Sequence, residues 1–378
     1  MDRKFPRLVV RRDKLRNNFT RVITRCAGCG IAVAGVVKGV DGQPEIARLY
    51  KECGAKQLAT SRLEQMERWR KEGIEGPYLL LRIPGMSELE EVPRLADYSL
   101  QSDLSTLDAL ERVCARQGLT HKVIIMADLG DLREGFWDKD EMVRVCCHVE
   151  RELPHVELAG VGVNLGCYGS IVPTPEKMNR LVDIAKAVEE RIGRKLEIVS
   201  GGATSSYPLV HRGEMPEGIN HLRIGEAALL AKDLQVDWGI TDMDYLQRGT
   251  MYLEGELIEL RKKPTHPVGE TMIDAFGRRP VYEDRGVRLR GLVAFGRADV
   301  GDLESLMCRE PGMTVIGGSS DHCIVDAQDC PRALQVGDVV RFDLSYSHML
   351  YATGRNDLPI VFVDDEIDEN IGGREENG

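Results

Sequence analysis

The sequence predicts a (β/α)8 barrel of the TIM type with a second, C-terminal all-β domain, and three observations support this. Apolar strand-like runs and amphipathic helix-like runs alternate about eight times across residues 31–230, the count such a barrel requires. The first run lacks the GxGxxG turn that opens a doubly wound dinucleotide-binding sheet. Past residue 250 the texture changes to short alternating strands and turns, MYLEGELIEL, VRLRGLVAFG, MTVIGGSSDHCIVDA and DVVRFDLSYSHML, which read as a separate β domain.

In chain order, RLVV at 7–10 reads as a short strand. DKLRNNFTRVITRC then reads as a helix with Leu15, Phe19, Val22 and Ile23 on one face. The barrel strands follow as IAVAGVV, KQLAT, YLLLRI, DYSLQ, KVIIMADL, ELAGVGVNL, LEIVSGG and HLRIG. Between them lie helical segments such as PEIARLYKECG, SRLEQMERWRKEG, LSTLDALERVCARQG and PEKMNRLVDIAKAVEERIG, several closed by a C-cap glycine. The expected boundaries are 11–235 for the barrel and 1–10 with 236–365 for the β domain. The acidic, Gly-rich stretch 366–378 reads as a flexible tail.

A net charge of -11 over 378 residues argues against nucleic acid, whose phosphates demand a basic surface. No early apolar segment has the length of a signal peptide or membrane span, so the expected setting is cytoplasmic and the expected partner a small molecule. Ten cysteines in a chain this long fit reduced thiols better than a disulfide framework. The pair Cys26 and Cys29 has CxxC spacing but neither a second pair nor a histidine cluster beside it, so it reads as structural, in the turn before the next strand, and no metal is expected.

The most informative stretch is AVAGVVKGVDG, residues 32–42, where an apolar run ends on the single charge of Lys38. Burial is costly for a lysine unless it loses its proton or becomes covalently bound, as in a Schiff base with an aldehyde cofactor. The alternative is a lysine that snorkels from a strand end into water. In a barrel, Lys38, Arg133, Asn164, the SGGATSS turn and Arg223 would converge at the carboxyl ends of the strands.

These stretches resemble the fold-type III pyridoxal-phosphate enzymes, the alanine-racemase-like superfamily, over nearly the whole chain and most closely the ornithine racemases. VVKGV is similar to the cofactor-lysine motif, which assigns the covalent link to Lys38. ADLGDLREGF resembles the segment whose arginine, here Arg133, approaches the cofactor's phenolic oxygen and the substrate carboxylate. GVGVNLGCYG is similar to the strand whose end residue, here Asn164, lies against the pyridine ring. SGGATSS and LRIGEA resemble the phosphate turn and arginine strand. The resemblance assigns Ser200, Gly202, Thr204, Ser205 and the amides of Gly225 and Glu226 to the cofactor, with Arg223 facing the pyridine nitrogen. GGSSDHCIVD is similar to a segment that crosses a dimer interface toward the substrate carboxylate, bringing Ser320 and Asp321. LSYSHML is similar to one that supplies a phosphate-bonding tyrosine, here Tyr346. The implied partners are a free amino acid and a second copy of the chain in a homodimer with shared active sites.

Two departures from the family pattern bear on mechanism. Where alanine racemases carry a basic tyrosine, this chain reads Gly296-Arg297-Ala298-Asp299, and an arginine that stays protonated cannot act as a base. Arg297 is instead a candidate for the substrate carboxylate. Met126 stands where some alanine racemases have a modified lysine. For the second base, His322 has a suitable imidazole, and Cys167 could act as a thiolate. Asp321 and Asp299 are candidates for a distal substrate ammonium. The expected reaction is racemisation of a free amino acid, ornithine or lysine by resemblance, through removal of the alpha proton. The alternatives are a metal-assisted D-amino-acid dehydratase or aldolase of the same superfamily, and a non-enzymatic pyridoxal-phosphate carrier.

Overall fold

The computed structural model describes residues 5–365. The chain forms two compact units, one of Leu15–Gln247 and one of the residues up to Lys14 together with those from Arg248 on.

In the second of these, β1 (Arg7–Arg11) is the opening strand. The other unit is a closed barrel of eight parallel strands: β2 (Ala32–Val36), β3 (Gln57–Thr60), β4 (Tyr78–Leu80), β5 (Tyr98–Gln101), β6 (His121–Ala127), β7 (Val156–Val163), β8 (Ile198–Ser200) and β9 (His221–Ile224). Pairing of β9 with β2, Ala34 opposite Arg223, closes the ring. The strands are almost wholly buried, as apolar runs covered on both faces must be. One set of alternating side chains, Ala34, Val36, Ala59, Leu79, Leu100, Ile124, Met126 and Ile198, packs together as the barrel core. Met126 is therefore fully buried core. Gly162 belongs to the same layer, since a Cβ there would lie 3.1 Å from Met126 Sδ and 3.2 Å from Ser200 Cβ.

Capping residues legible in the sequence bound the long helices. Asp103 accepts a 3.0 Å bond from the Thr106 amide at the start of Leu104–Gln117, and Gly118 ends that helix in the left-handed region at φ 66°. Thr174 and a first-turn proline open Pro175–Ile192. The first helix, Arg12–Gly28, outlasts its expected end. Cys26 therefore lies buried on a helix rather than in a turn, while Cys29 is exposed just beyond it.

The β unit adds β10 (Met251–Pro264), β11 (Val287–Val293), β12 (Met307–Cys308), β13 (Thr314–Gly318), β14 (Cys323–Asp326), β15 (Val339–Asp343) and β16 (Ile360–Val363). Their order is β12-β15-β10-β11-β14-β13, and β1 pairs antiparallel with β10 and parallel with β16. Leu253, Leu257, Val293, Val325 and Phe342 are buried between them, with Phe295 edge-on to Phe342 at 5.0 Å. One expectation is corrected. DVVRFDLSYSHML is not a single strand, because β15 stops at Asp343 and a helix runs over Tyr346–Thr353. His348 Nδ1 accepts a 3.0 Å bond from the Ser345 amide, a cap that starts the helix. The expected tail, 366–378, lies outside the described residues.

Candidate active site

Lys38 lies two residues past Val36 at the carboxyl end of β2, where the chain enters a single 3₁₀ turn, Lys38–Val40. The turn is held from behind. Asp41 adopts the left-handed region at φ 48° and accepts a 2.7 Å bond from Gln65 Nε2, while Trp69 Nε1 donates to the Gly42 carbonyl at 2.7 Å. Burial lowers the Lys38 pKa, and the cations Arg133 and Arg223 push the same way. Cys167 and Glu134 oppose them. The amine is therefore biased toward its neutral form, the form that attacks a carbonyl or takes a proton.

Arg223, on β9, is 3 % exposed. Its Nη2 donates to the Val163 carbonyl at 2.8 Å and its Nη1 to Ser200 Oγ. Burial brings its pKa down to about 10, with Arg133 adding to the effect. Ser200 was expected to serve the cofactor. Its hydroxyl is fully buried and engaged on both sides, by Arg223 and by His221 Nδ1 at 2.8 Å. Asn164 ends the seventh strand segment, buried, with Nδ2 lacking a partner among the described residues.

The expected phosphate turn lies next to the β9 terminus. Gly202 has φ 115°, and a Cβ there would fall 2.5 Å from Ser206 Oγ. Thr204 Oγ1 accepts from the amides of Gly225 and Ala227 at 3.4 and 3.2 Å, leaving its own hydrogen for an outside acceptor. Ser205 donates to the Leu165 carbonyl at 2.6 Å, so its hydroxyl hydrogen is already engaged. Gly225 passes so close to Val36 that a Cβ would sit 3.2 Å from that side chain. The Glu226 carboxylate is buried and accepts the Lys232 and Asp233 amides, each at 3.0 Å.

Sequence reasoning missed several residues here. Arg133 forms a bidentate ion pair with its neighbour Glu134, Nη2 to Oε1 at 2.6 Å and Nε to Oε2. Glu134 is 14 % exposed against 40 % for Arg133. Asp131, 2 % exposed, accepts from the amides of Gly166 at 2.9 Å and of Tyr168 and Gly169 at 3.2 Å each, and so pins the loop that carries Cys167. His221 and Gln57 continue the bonds behind Ser200. Adjacent charges gave Glu134 some signal, and Asp131 stands two residues before Arg133, whereas Gln57 and His221 come from strands distant in sequence.

The remaining candidates lie in the β unit. Arg297, expected at a substrate carboxylate, has its guanidinium on Glu304 and over the Phe276 ring, with the side chain 8 % exposed. Asp299 accepts the Gly296 amide at 2.9 Å. Ser319, Ser320, Asp321 and His322 form an exposed turn between β13 and β14, with Ser320 Oγ donating to Asp321 at 2.6 Å and His322 Nδ1 3.4 Å from Ser319 Oγ. Tyr346 is the first residue of its helix and is half-buried.

The barrel unit's donors fit a phosphorylated pyridine aldehyde. They comprise an amine of lowered pKa, a buried guanidinium that donates to two neutral oxygens, an amide at Asn164 that is buried and unpartnered among the described residues, and a glycine-lined turn that a Cβ would fill. Comparison with known proteins agrees. Residues 10–233 match the alanine racemase N-terminal domain. The chain is 36 % identical over 346 residues to an ornithine racemase of Acetoanaerobium sticklandii and 38 % identical over 348 residues to a lysine racemase of Thermotoga maritima. Each alignment covers 92 % of this chain and 96 % of the relative. In fold, an alanine racemase of Streptomyces lavendulae superposes with a TM-score of 0.74 at 18 % identity, covering 96 % of this chain and 98 % of the other. A D-threonine aldolase of Filomicrobium marinum gives 0.67 at 17 %, covering 93 % and 88 %. The amine at the barrel mouth, the buried arginine behind it and the match across both units have one source: the chain belongs to the alanine racemase family, whose members are amino-acid isomerases dependent on pyridoxal 5'-phosphate.

Proposed function

We propose that this enzyme racemises a free basic amino acid, ornithine or lysine. The observation that carries the reading is Lys38, an amine at a barrel strand end whose pKa is lowered by burial and by the charges of Arg133 and Arg223. The names and full-length coverage of the two relatives support the choice of substrate.

When bound, the cofactor draws electron density from the bond to the alpha hydrogen and so makes that hydrogen acidic. Lys38 Nζ, biased toward the neutral form, takes and returns the proton on its face of the substrate. Arg223, a donor only, cannot give up its proton at working pH. Against the ring nitrogen of a bound cofactor it would keep that nitrogen unprotonated, a state that favours return of the proton over transfer of the amino group. Arg133, steadied by Glu134, attracts the substrate carboxylate. On the opposite face, Cys167, on the loop pinned by Asp131, is one candidate proton carrier. His322 in the exposed turn is the other candidate.

The phosphate falls to Gly202, Thr204 and the Gly225 and Glu226 amides, with Asn164 against the ring; Tyr346 is a further proposed donor, and Ser205 becomes one only where its hydroxyl turns from the Leu165 carbonyl. The exposed turn Ser319–His322 suits a homodimer in which one copy completes its partner's site, with Ser320 and Asp321 toward substrate, in a cytoplasmic enzyme. Among the described residues no helix is long and apolar enough to cross a membrane. A metal-assisted dehydratase or aldolase would need a ligand set, and among the described residues no group of three or more His, Cys, Asp or Glu is arranged to hold a metal ion. The extended β unit speaks against a carrier built of the barrel alone.

Chiral chromatography over the common amino acids tests the proposal. Interconversion of ornithine or lysine is expected, and activity confined to alanine would overturn the substrate assignment. Lys38→Ala should lose the absorbance of the covalently held cofactor, and retention of that band would sink the role of Lys38.

A further inference from the structure

The enclosed Arg223 guanidinium donates to two neutral oxygens, the Val163 carbonyl and Ser200 Oγ. The bonds do not stop at Ser200. Ser200 Oγ lies 2.8 Å from His221 Nδ1, and His221 Nε2 lies 3.1 Å from Gln57 Oε1. Gln57, Ser200, His221 and Arg223 are 5, 0, 3 and 3 % exposed, and they come from β3, β8 and β9.

The two ends of this column fix the direction of every bond in it. A guanidinium only donates and an amide oxygen only accepts. Gln57 Oε1 therefore requires the ring hydrogen on His221 Nε2. Nδ1 of the neutral ring is then bare and accepts from the Ser200 hydroxyl, whose oxygen accepts from Arg223. This arrangement satisfies all three bonds, and such chains strengthen one another in a low dielectric. A doubly protonated His221 would turn Nδ1–H toward Ser200, take away the acceptor of the serine's hydrogen and place a second cation two bonds from the guanidinium. Burial, reinforced by the charge of Arg223, holds the ring neutral.

We propose that Gln57, His221 and Ser200 are positioning residues, a one-way column of hydrogen bonds that holds the Arg223 guanidinium with its remaining donors toward the cofactor ring. Only the kinetic arm of the test rests on the racemase reading. In ¹⁵N-histidine-labelled full-length enzyme, with His221 assigned by its loss in His221→Asn, the ring should remain the neutral Nε2–H tautomer from about pH 6 to 9. Gln57→Glu offers a carboxylate to the same N–H, so His221 should become doubly protonated near neutral pH. The loaded variant should show a shifted cofactor absorbance, kcat lower by about tenfold with KM within about twofold, and a new limb in its pH profile. Ser200→Ala should lower kcat similarly while His221 stays neutral.

A proton on Nδ1, or titration of His221 in the wild type between about pH 6 and 9, overturns the column. So do wild-type kcat and absorbance in both variants. If the unmodified enzyme racemises no amino acid, the substrate reading fails, while the tautomer and absorbance results still decide the column. The wild-type tautomer decides it even if the variants do not fold.

Discussion

Replacing Asp131 should release the loop after β7 while leaving the barrel standing. Its carboxylate accepts three backbone amides, Gly166 at 2.9 Å and Gly169 at 3.2 Å on Oδ1, and Tyr168 at 3.2 Å on Oδ2. Bonds to a buried charged acceptor contribute about 1.5–3 kcal/mol each, less at the longer distances and not additively. Asp131→Ala leaves three amides without their acceptor and should cost about 3 kcal/mol. At roughly 2 °C per kcal/mol for a unit of this size, the midpoint should fall by about 6 °C. Asp131→Asn is the sharper perturbation. Its oxygen can still serve Gly166 and Gly169, but its NH₂ then faces the Tyr168 amide, donor against donor, for about 2 kcal/mol. Calorimetry gives the totals, and amide hydrogen exchange gives the location. In Asp131→Ala all three amides should exchange about tenfold to a hundredfold faster, and in Asp131→Asn the gain should centre on Tyr168. Unchanged exchange at these amides, or a larger loss for Asn than for Ala, would refute the reasoning. Because the loop carries Cys167, kcat/KM should fall with the protection.

Two further outcomes follow from packing and charge. Gly35→Ala places a Cβ 2.7 Å from the Tyr50 ring, which is stacked on Phe19 at 3.8 Å and donates to the Ile224 carbonyl at 3.1 Å. The ring cannot yield without losing both contacts, so the midpoint should drop by an amount worth about 2–3 kcal/mol, and a wild-type midpoint would contradict this. Burial, with the nearby charge of Asp233, raises the Glu226 pKa above its ordinary 4.5. The folded protein therefore holds a proton there that the unfolded chain gives up. The associated stability is present below the unfolded value and is lost as pH rises through the folded one, toward neutrality. Glu226→Gln, uncharged throughout, should flatten that slope in pH-dependent denaturant titrations, and an unaltered slope would dismiss the assignment.

The barrel was legible because its strands are apolar on both faces and its helices carry a 3.6-residue period, so the alternation shows in the residues themselves. Lys38 was legible for a related reason, as the single charge ending a run of valines. The column behind Arg223 was not legible. Gln57, Ser200 and His221 are far apart in sequence, and only the closure of β9 onto β2 turns them to one interior. Glu134 stood next to an arginine of expected function, but adjacent residues normally point apart. Here Leu132 in the left-handed region, at φ 55°, reorients the chain just before the pair. The helix Tyr346–Thr353 was hidden because LSYSHML alternates polar and apolar residues as a strand does. Its start was marked by Ser345 and His348, a cap in which imidazole takes the place of the more familiar carboxylate.

The β unit's sheet joins segments far apart in the chain, since β1 lies between β10 and β16. On the ribosome β1 must wait for β10 to cover one of its edges, and about 350 residues must follow it before β16 can cover the other. A stop codon shortly before Ile360 would therefore strand an amino-terminal edge as well as delete a carboxyl-terminal one. Proteins truncated there should be sticky in the cell, even where the whole barrel sequence has been translated.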